Sequence, residues 1–284
     1  MISDLIYDVG MNNGDDTAYY LYRGYRVVAV EADPTLVARA RDRFASEIRR
    51  GQLELVSTAI GPRRETAPFW ICEGQSEWNS FDRQIASREG HAHHAVAVQC
   101  QPFRDLLEQY GVPSYLKIDI EGHDHYCVAD LDPGDLPAYV SHEMWGSLEP
   151  LYRLRDLGYR SFKLITQNDH TELFIDPFST DEFVKRRLRP YPALYKMGAR
   201  CAQIRRRLAS RSLNGHGTHR SPMKDPEWKF AFGSSGPFGE DTAGSWRTVD
   251  AVALTWLAFQ LGQSRYGKPG LWVWHDVHAR IEPN

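Results

Sequence analysis

The sequence has no long apolar run and few cysteines. Its 284 residues contain no stretch of about 18 consecutive apolar residues, which excludes a membrane-spanning helix of ordinary length. The four cysteines lie far apart and form no Cys-x-x-Cys pair, so neither a cysteine zinc site nor a disulfide framework is indicated. The first residues do not resemble a secretory signal, and we therefore expect a cytoplasmic protein with reduced thiols.

Acidic residues are absent from one long segment. The whole chain has 34 Lys and Arg against 37 Asp and Glu, yet residues 183–223 contain eleven basic residues and no acidic one. This basic segment is either a solvated surface that balances the acidic remainder, or a contact for an anionic ligand or an anionic membrane surface. Nucleic acid would need the same charge, but no aromatic pattern accompanies it, so we expect no nucleic-acid partner.

Strand-like and helix-like segments alternate through about residue 175. Strands are predicted at residues 5–10, 26–31, 53–57, 67–71, 95–100, 115–122, 138–143 and 161–166. Helices are predicted at residues 17–22, 34–50, 103–110 and 148–157, with Asp15 and Asp16 as N-cap candidates for the first helix. The order predicts an α/β fold with a doubly wound, mainly parallel sheet and an antiparallel edge hairpin of residues 161–166 and 172–175.

The loop after the first predicted strand indicates a ligand site. Gly10 and Gly14 have the spacing Gly-x-x-x-Gly, whereas dinucleotide loops have Gly-x-Gly-x-x-Gly and place a pyrophosphate on a helix N-terminus. The Asp15-Asp16 pair would repel phosphate, which further disfavours a nicotinamide dinucleotide. A zwitterionic amino acid suits the loop better, because Asp8 can attract an ammonium group while loop amides and Asn side chains hold a carboxylate. Glu31 closes the second strand, where a carboxylate accepts hydrogen bonds from ribose hydroxyls in folds of this kind.

Four motifs in order resemble the FkbM family of methyltransferases, covering about residues 3–175: Asp8-Val-Gly-Met-Asn-Asn-Gly-Asp-Asp-Thr, Val28-Ala-Val-Glu-Ala-Asp-Pro, Thr58-Ala-Ile-Gly and Leu116-Lys-Ile-Asp-Ile-Glu-Gly-His-Asp. The resemblance implies a Rossmann-like class I methyltransferase fold and S-adenosyl-L-methionine (SAM) as the methyl donor. It implies O-methylation of sugar, glycoconjugate or polyketide-type natural-product hydroxyls. By motif, it places Asp8, Gly10, Asn13 and Thr17 at the methionine end, Glu31 at the ribose, Ala32 and Asp33 beside the adenosine, Ala59 and Ile60 at the adenine, and Ser80 as a further contact.

The general base is expected at the carboxyl ends of the fourth and fifth strands of the main sheet, because the acceptor oxygen must lose its proton there. His142 is the first candidate, since an unperturbed imidazole titrates near neutrality. Glu143 either orients that imidazole or is the base itself, and Asp119 contacts the donor's amino group or the acceptor. His142 is alternatively a structural histidine at a strand end.

A metal ion is not assigned from the sequence. His91, His93 and His94 are expected in a solvated polar loop, since they have no ligand partners at a defined spacing. The acids near residues 119–124 offer ligands for a divalent ion, and some O-methyltransferases use such an ion to acidify a hydroxyl.

The alternation of elements ends near residue 178, which predicts a SAM-binding domain at 1–178 and a basic, aromatic extension at 179–284. Trp228, Trp246, Trp272 and Trp274 give this extension an aromatic surface, and we expect it to cover the acceptor side or to form an interface, such as that of a homo-oligomer. Two other functions stay open: N-methylation of a small amine, and a SAM-binding scaffold without catalysis.

Overall fold

A seven-stranded sheet organises the fold. The structure is a computed structural model that describes residues 1–144, 147–175, 228–266 and 274–281. The basic segment 183–223 and Trp272 lie outside the described residues. In chain order the strands are β1 (Ile2–Val9), β2 (Arg26–Glu31), β3 (Leu53–Ser57), β4 (Ala59–Ile60), β5 (Glu65–Cys72), β6 (His93–Gln101), β7 (Pro113–Ile118), β8 (Tyr139–Glu143), β9 (Ser161–Thr166) and β10 (His275–Arg280).

The main sheet has the order β3-β2-β1-β7-β8-β10-β9. The neighbours from β3 to β8 are parallel, and the strand order reverses between β1 and β7. Ligands of such sheets bind at the carboxyl ends of the strands near this reversal. The predicted doubly wound, mainly parallel α/β fold is confirmed.

The antiparallel strand of this sheet comes from the end of the chain. β10 lies between β8 and β9 and is antiparallel to both, with Val277 opposite His142 and Leu164. The predicted partner of β9, residues 172–175, makes only an isolated bridge, Glu172 to Ile165. β10 takes the inner position because Val277 and Ala279 are fully buried in the core, whereas Glu172 pairs with Arg247. This strand of the predicted extension therefore belongs to the sheet, and the rest of the division near residue 178 stays a prediction.

The helices flank the sheet. They are α1 (Asp15–Tyr22), α2 (Pro34–Arg43), α3 (Ala45–Arg49), α4 (Arg83–Ala86), α5 (Phe103–Tyr110), α6 (His125–Ala129), α7 (Glu149–Leu157) and α8 (Val249–Tyr266). Asp15 and Asp16 belong to the first turn of α1, because Gly14 occupies the N-cap position in the left-handed conformation. The helix predicted for residues 34–50 is interrupted at the buried Phe44. None of the helices in the described ranges has the length and apolarity of a membrane span.

A second, three-stranded sheet has the order β4-β6-β5. The histidines predicted in a loop mostly lie in it: His93 begins β6, where its ring packs against Trp70, and His94 lies 3.4 Å from Glu73. The antiparallel strands β5 and β6 pair continuously, from Glu65 with Cys100 to Cys72 with His93, and they include the shorter runs predicted at residues 67–71 and 95–100.

Segment 228–247 packs on one face of the main sheet. Phe238 stacks on Tyr115 of β7, with ring centroids 4.6 Å apart and an interplanar angle of 6°. Tyr19 and Tyr20 of α1 complete this aromatic cluster around Phe238. The opposite face carries the larger apolar core, against α5, α6, α7 and α8. The C-terminal segment is thereby fixed against α1 and β7.

Candidate cofactor and acceptor site

A cavity of about 460 Å³ opens at the carboxyl ends of β1, β2, β7 and β8. Its volume lies in the range of small-molecule sites. The β1–α1 loop, the end of β2, the small sheet and residues 231–234 form its walls. The predicted site residues that line it are Gly10, Asn13, Glu31, Ala32, Ala59, Ile60, Asp119 and Glu143. The predicted residues outside its lining are Asp8, Thr17, Asp33, Ser80 and His142.

Gly10 allows the ends of β1 and β7 to approach each other. Its φ is +84°, and a Cβ atom there would lie 1.8 Å from the backbone oxygen of Asp119. The N–H groups of Gly10 and Met11 both donate to the carbonyl of Val30. These two amides are therefore already bonded, and the predicted role of holding a ligand carboxylate does not fall to them.

Glu31 presents its carboxylate to the cavity from the end of β2. Its Oε2 accepts a 2.8 Å hydrogen bond from the Asn12 N–H, and its Oε1 accepts one of 2.8 Å from the Asp33 N–H. Each carboxylate oxygen has a second lone pair, so it can accept another hydrogen bond. Burial raises the pKa of Glu31 to about 7, and the backbone hydrogen bonds act in the opposite direction.

Asp8 and Thr17 lie behind the cavity. The Thr17 hydroxyl donates to Asp8 Oδ2 over 2.6 Å, and Lys117 Nζ lies 3.1 Å from Asp8 Oδ1. Lys117 also donates to the Gly10 carbonyl over 2.9 Å. Asp8 thus binds this lysine and α1, and direct contact with a ligand ammonium is not available to it in this arrangement.

Asp16, and not Asp8, lines the cavity. Its Oδ2 accepts a 3.0 Å hydrogen bond from the Ser235 N–H, while its Oδ1 is buried without a hydrogen-bond partner among the described residues. Burial raises the pKa of Asp16 to about 6, and Lys117 opposes this shift. An orphaned carboxylate oxygen at the cavity wall suits a ligand ammonium.

Three carboxylates converge at the ends of β7 and β8. One oxygen each of Asp119, Glu121 and Glu143 lies within 4.8 Å of the others, and all three residues line the cavity. Burial, followed by the charge of Asp119, raises the pKa of Glu121 well above its usual range, although Arg88 lies 3.6 Å from its carboxylate. Oxygen ligands of this kind suit Mg²⁺ or Ca²⁺, so this is the metal candidate among the described residues.

His142 points away from these carboxylates. Its Nδ1 lies 2.9 Å from the Glu143 carbonyl, so Nδ1 carries the hydrogen and donates it. Its Nε2 is buried without a hydrogen-bond partner among the described residues. Burial lowers the pKa of His142 to about 4. The side chain lines a separate cavity of about 210 Å³, which Glu143 also borders.

Asp33 and Ser80 support the wall near the small sheet. Asp33 caps α2 by accepting from the Thr35 N–H, and its other oxygen accepts a 3.0 Å bond from Asn79 Nδ2. The Ser80 hydroxyl donates to the Glu121 carbonyl. Asn79 lines the cavity itself and was not singled out from the sequence.

Other polar groups of the site were also missed. Lys117 was visible as a charged residue inside an apolar strand, which is a usable signal. Asp276 of β10 accepts a 2.8 Å hydrogen bond from Gln167, and burial raises its pKa to about 7. Gln167 lines the cavity. No local pattern marks these two residues, because they meet only through the insertion of β10 into the sheet.

Residues 8–139 match a family model described as the methyltransferase FkbM domain. The chain is a methyltransferase with an FkbM domain. The matched range includes the Gly10 loop, Glu31 and Asp119, and the resemblance of the motifs is confirmed. This FkbM domain implies SAM as the methyl donor.

Solved structures show distant likenesses. Precorrin-6y C5,15-methyltransferase from Geobacter metallireducens GS-15 shares 15% identity over 58% of this chain and 67% of that chain, with a TM-score of 0.35. A TehB-like SAM-dependent methyltransferase from Corynebacterium glutamicum ATCC 13032 shares 11% over 58% and 71%, with a TM-score of 0.32. The [4+2]-cyclase SpnF shares 10% over 99% and 76%, with a TM-score of 0.35. Likenesses of this degree say nothing about the substrate. Among curated proteins, no sequence matches this chain significantly.

The residues of the cavity fit SAM. SAM carries a sulfonium and an ammonium group against one carboxylate, so it is a net cation. The cavity presents the carboxylates of Asp16, Glu31, Asp119, Glu121 and Glu143, and a buried lysine lies beside them. The orphaned Asp16 oxygen and the available lone pairs of Glu31 match the ammonium and the ribose hydroxyls.

Proposed function

We propose that this FkbM methyltransferase is an O-methyltransferase that acts on a hydroxyl of a sugar, a glycoconjugate or a polyketide-type natural product. The observation that carries the proposal is the convergence of Asp119, Glu121 and Glu143 within 4.8 Å at the cavity wall. A hydroxyl acceptor needs a group that removes its proton, and carboxylates in a cavity can do this.

Different residues of the FkbM domain would contact different parts of the cofactor. Glu31 would accept the ribose hydroxyls, and Ala32, Ala59 and Ile60 would surround the adenosine. Asp16 and Asp119 would bind the ammonium, with Gly10 and Asn13 along the methionine portion. When bound, SAM supplies a methyl group activated on a sulfonium.

Glu143 is the base that the geometry favours, with Asp119 as the alternative. Glu143 borders the cavity, whereas the His142 imidazole faces another one. Glu143 would accept the proton of the acceptor hydroxyl. SAM, when bound, would supply the methyl group, losing its carbon–sulfur bond as the carbon–oxygen bond forms and leaving as S-adenosylhomocysteine. The walls would hold the oxygen in line with the methyl group, and such positioning lowers the barrier by removing the entropic cost of bringing the two groups together.

The cavity favours acceptors that are uncharged or cationic. Seven acidic residues and one lysine are among the described residues that line it, so an anionic acceptor would be repelled at this wall. An anionic acceptor remains a hypothesis tied to the basic segment 183–223. The same acids favour a second candidate function, N-methylation of a small amine, because they could hold its ammonium form.

A paired acceptor assay tests the proposal. Labelled methyl transfer from SAM is measured with sugars and phenols against the corresponding amino sugars and anilines, and products are located by mass spectrometry. Methylated oxygen, lost in Glu143→Gln with S-adenosylhomocysteine binding retained, supports O-methylation. Methylated nitrogen supports the second candidate, and saturable SAM binding with no turnover of any acceptor supports a scaffold.

A further inference from the structure

Phe232 stands exposed at the mouth of the cavity. Its surface is 75% accessible, although it lines the same cavity as Asp119 and Glu143. The Trp274 ring also lines the cavity, with its centroid 6.3 Å from that of Phe232 and an interplanar angle of 72°. The two rings form an aromatic rim at the cavity.

The loop that carries Phe232 is firmly anchored. Ser234, Ser235 and Phe238 are buried, and the Ser235 N–H donates to Asp16 of α1. His170 Nε2 lies 3.0 Å from the Ser234 carbonyl. At Gly236, with φ of +76°, a Cβ atom would lie 2.3 Å from the His170 ring, so the chain passes closely there. A large apolar side chain is therefore held in solvent by buried neighbours on its C-terminal side.

The aromatic rim and the acidic inner wall of the cavity together indicate which kind of ligand would fit. Single exposed apolar side chains are ordinary on protein surfaces, but Phe232 lies at a cavity whose inner wall is acidic. Aromatic rings bind the flat faces of other apolar rings, edge-to-face or offset. The acidic wall accepts hydroxyl hydrogens and repels anions.

We propose that Phe232 is a specificity-determining residue which, with Trp274, packs against the apolar face of an uncharged ring in the acceptor. This inference rests on the proposed function and narrows its substrate class. The ring is either an arene or the C–H face of a pyranose, since both offer a flat apolar surface with hydroxyls at its edge.

Saturation-transfer NMR on the full chain tests the platform, with and without S-adenosylhomocysteine. The probes are phenyl β-D-glucopyranoside, which carries both kinds of ring, and phenyl phosphate as its anionic counterpart. We expect saturation of the glucoside and none of the phosphate. In Phe232→Ala the effect falls about fivefold, as expected for losing part of one aromatic contact. Arene or pyranose protons that receive more saturation identify the ring face.

Two variants serve as controls. Phe232→Tyr keeps the ring and keeps the signal, and Leu254→Ala removes another exposed side chain, 47% accessible and outside the cavity, without effect. The platform is overturned by an unchanged signal in Phe232→Ala, by no signal in the wild type, or by equal binding of phenyl phosphate. Calorimetry with S-adenosylhomocysteine on each protein reports the cofactor site separately, so failure of the platform is distinguished from failure of the methyltransferase proposal.

Discussion

The Lys117 ammonium lies 3.1 Å from the Asp8 carboxylate, and the two side chains are only 4% and 0% exposed. Burial alone would lower the pKa of Lys117, but the charges of Asp8, Asp119 and Asp16 raise it well above its usual range. The lysine stays charged and joins the ends of β1 and β7 beneath the cofactor loop. The site therefore depends on a buried ion pair, whose lysine also lines the cavity.

Removing one partner of this pair will be strongly destabilising. Lys117→Met leaves Asp8 buried without its cation, and we expect the free energy of unfolding to fall by about 3–5 kcal/mol. Chemical denaturation measures the change. The control is Arg26→Met, which breaks the exposed pair with Asp4 and should leave stability nearly unchanged. Equal losses in the two variants would contradict the role assigned to Lys117.

Gly10 and Gly24 form a matched pair for testing the cofactor loop. Their φ angles are +84° and +85°, but only Gly10 faces a backbone atom, whereas nothing lies within 4 Å of a Cβ at Gly24. Both Ala substitutions add backbone strain of about 1 kcal/mol. Gly10→Ala must in addition separate β1 from β7, so we expect at least ~2 kcal/mol of further destabilisation and loss of S-adenosylhomocysteine binding. Retained binding in Gly10→Ala would show that this close approach is dispensable.

The sequence was informative where the signal is local. The bounds of β2 and α5 follow from apolar runs and helical spacing, and Gly10, Glu31 and Asp119 follow from their places after predicted strands. The N-cap of α1 was misassigned because Gly14, in a left-handed conformation, takes the position that an Asp side chain could also fill.

The pairing of strands that lie far apart in the chain could not be predicted from the sequence. His275–Arg280 enters the sheet more than a hundred residues after β9, and this insertion brings Asp276 and Trp274 to the site. Likewise, the sequence placed His142 and Glu143 together at a strand end. It did not show which of two adjacent residues, on opposite faces of β8, borders the cofactor cavity.

Ligand affinity will depend on the charge of Glu31. With a pKa of about 7 in the free protein, its carboxylate is mostly protonated at pH 6 and mostly ionised at pH 8. The ionised form accepts ribose hydroxyls, so we expect S-adenosylhomocysteine affinity to rise up to about tenfold between these pH values. Calorimetry across the range measures this. In Glu31→Gln we expect affinity to become nearly independent of pH. In Glu54→Gln, which changes an exposed side chain of β3, the dependence of affinity on pH should stay as in the wild type.

The contribution of Glu31 to the stability of the fold should fall as pH rises, whereas ligand affinity should rise. The folded Glu31 retains its proton between its usual pKa and about 7, whereas the unfolded chain has lost it. The folded state therefore binds more protons in this window, and the contribution of Glu31 to stability falls as pH rises. The free energy of unfolding of the wild type minus that of Glu31→Gln, measured by chemical denaturation at several pH values, isolates this contribution. A difference that rises with pH would contradict the burial described for Glu31.

Substitutions of Glu143 and His142 will show which of the two is the base. Glu143→Gln should reduce methyl transfer by about 10²–10⁴-fold with S-adenosylhomocysteine affinity retained, as for loss of a general base. His142→Asn should reduce it far less, because the imidazole faces the second cavity and not the proposed cofactor cavity. Single-turnover rates measure both. The reverse order of effects would return the role of base to His142.

Calorimetric titration with S-adenosylhomocysteine, and with NAD as the comparison ligand, tests the central claim most directly. We predict saturable binding of S-adenosylhomocysteine, no binding of NAD, and an affinity at least about tenfold weaker in Glu31→Ala, which loses the carboxylate at the end of β2. A folded wild-type protein that fails to bind S-adenosylhomocysteine, or that binds NAD as strongly, would contradict the assignment of this cavity to SAM.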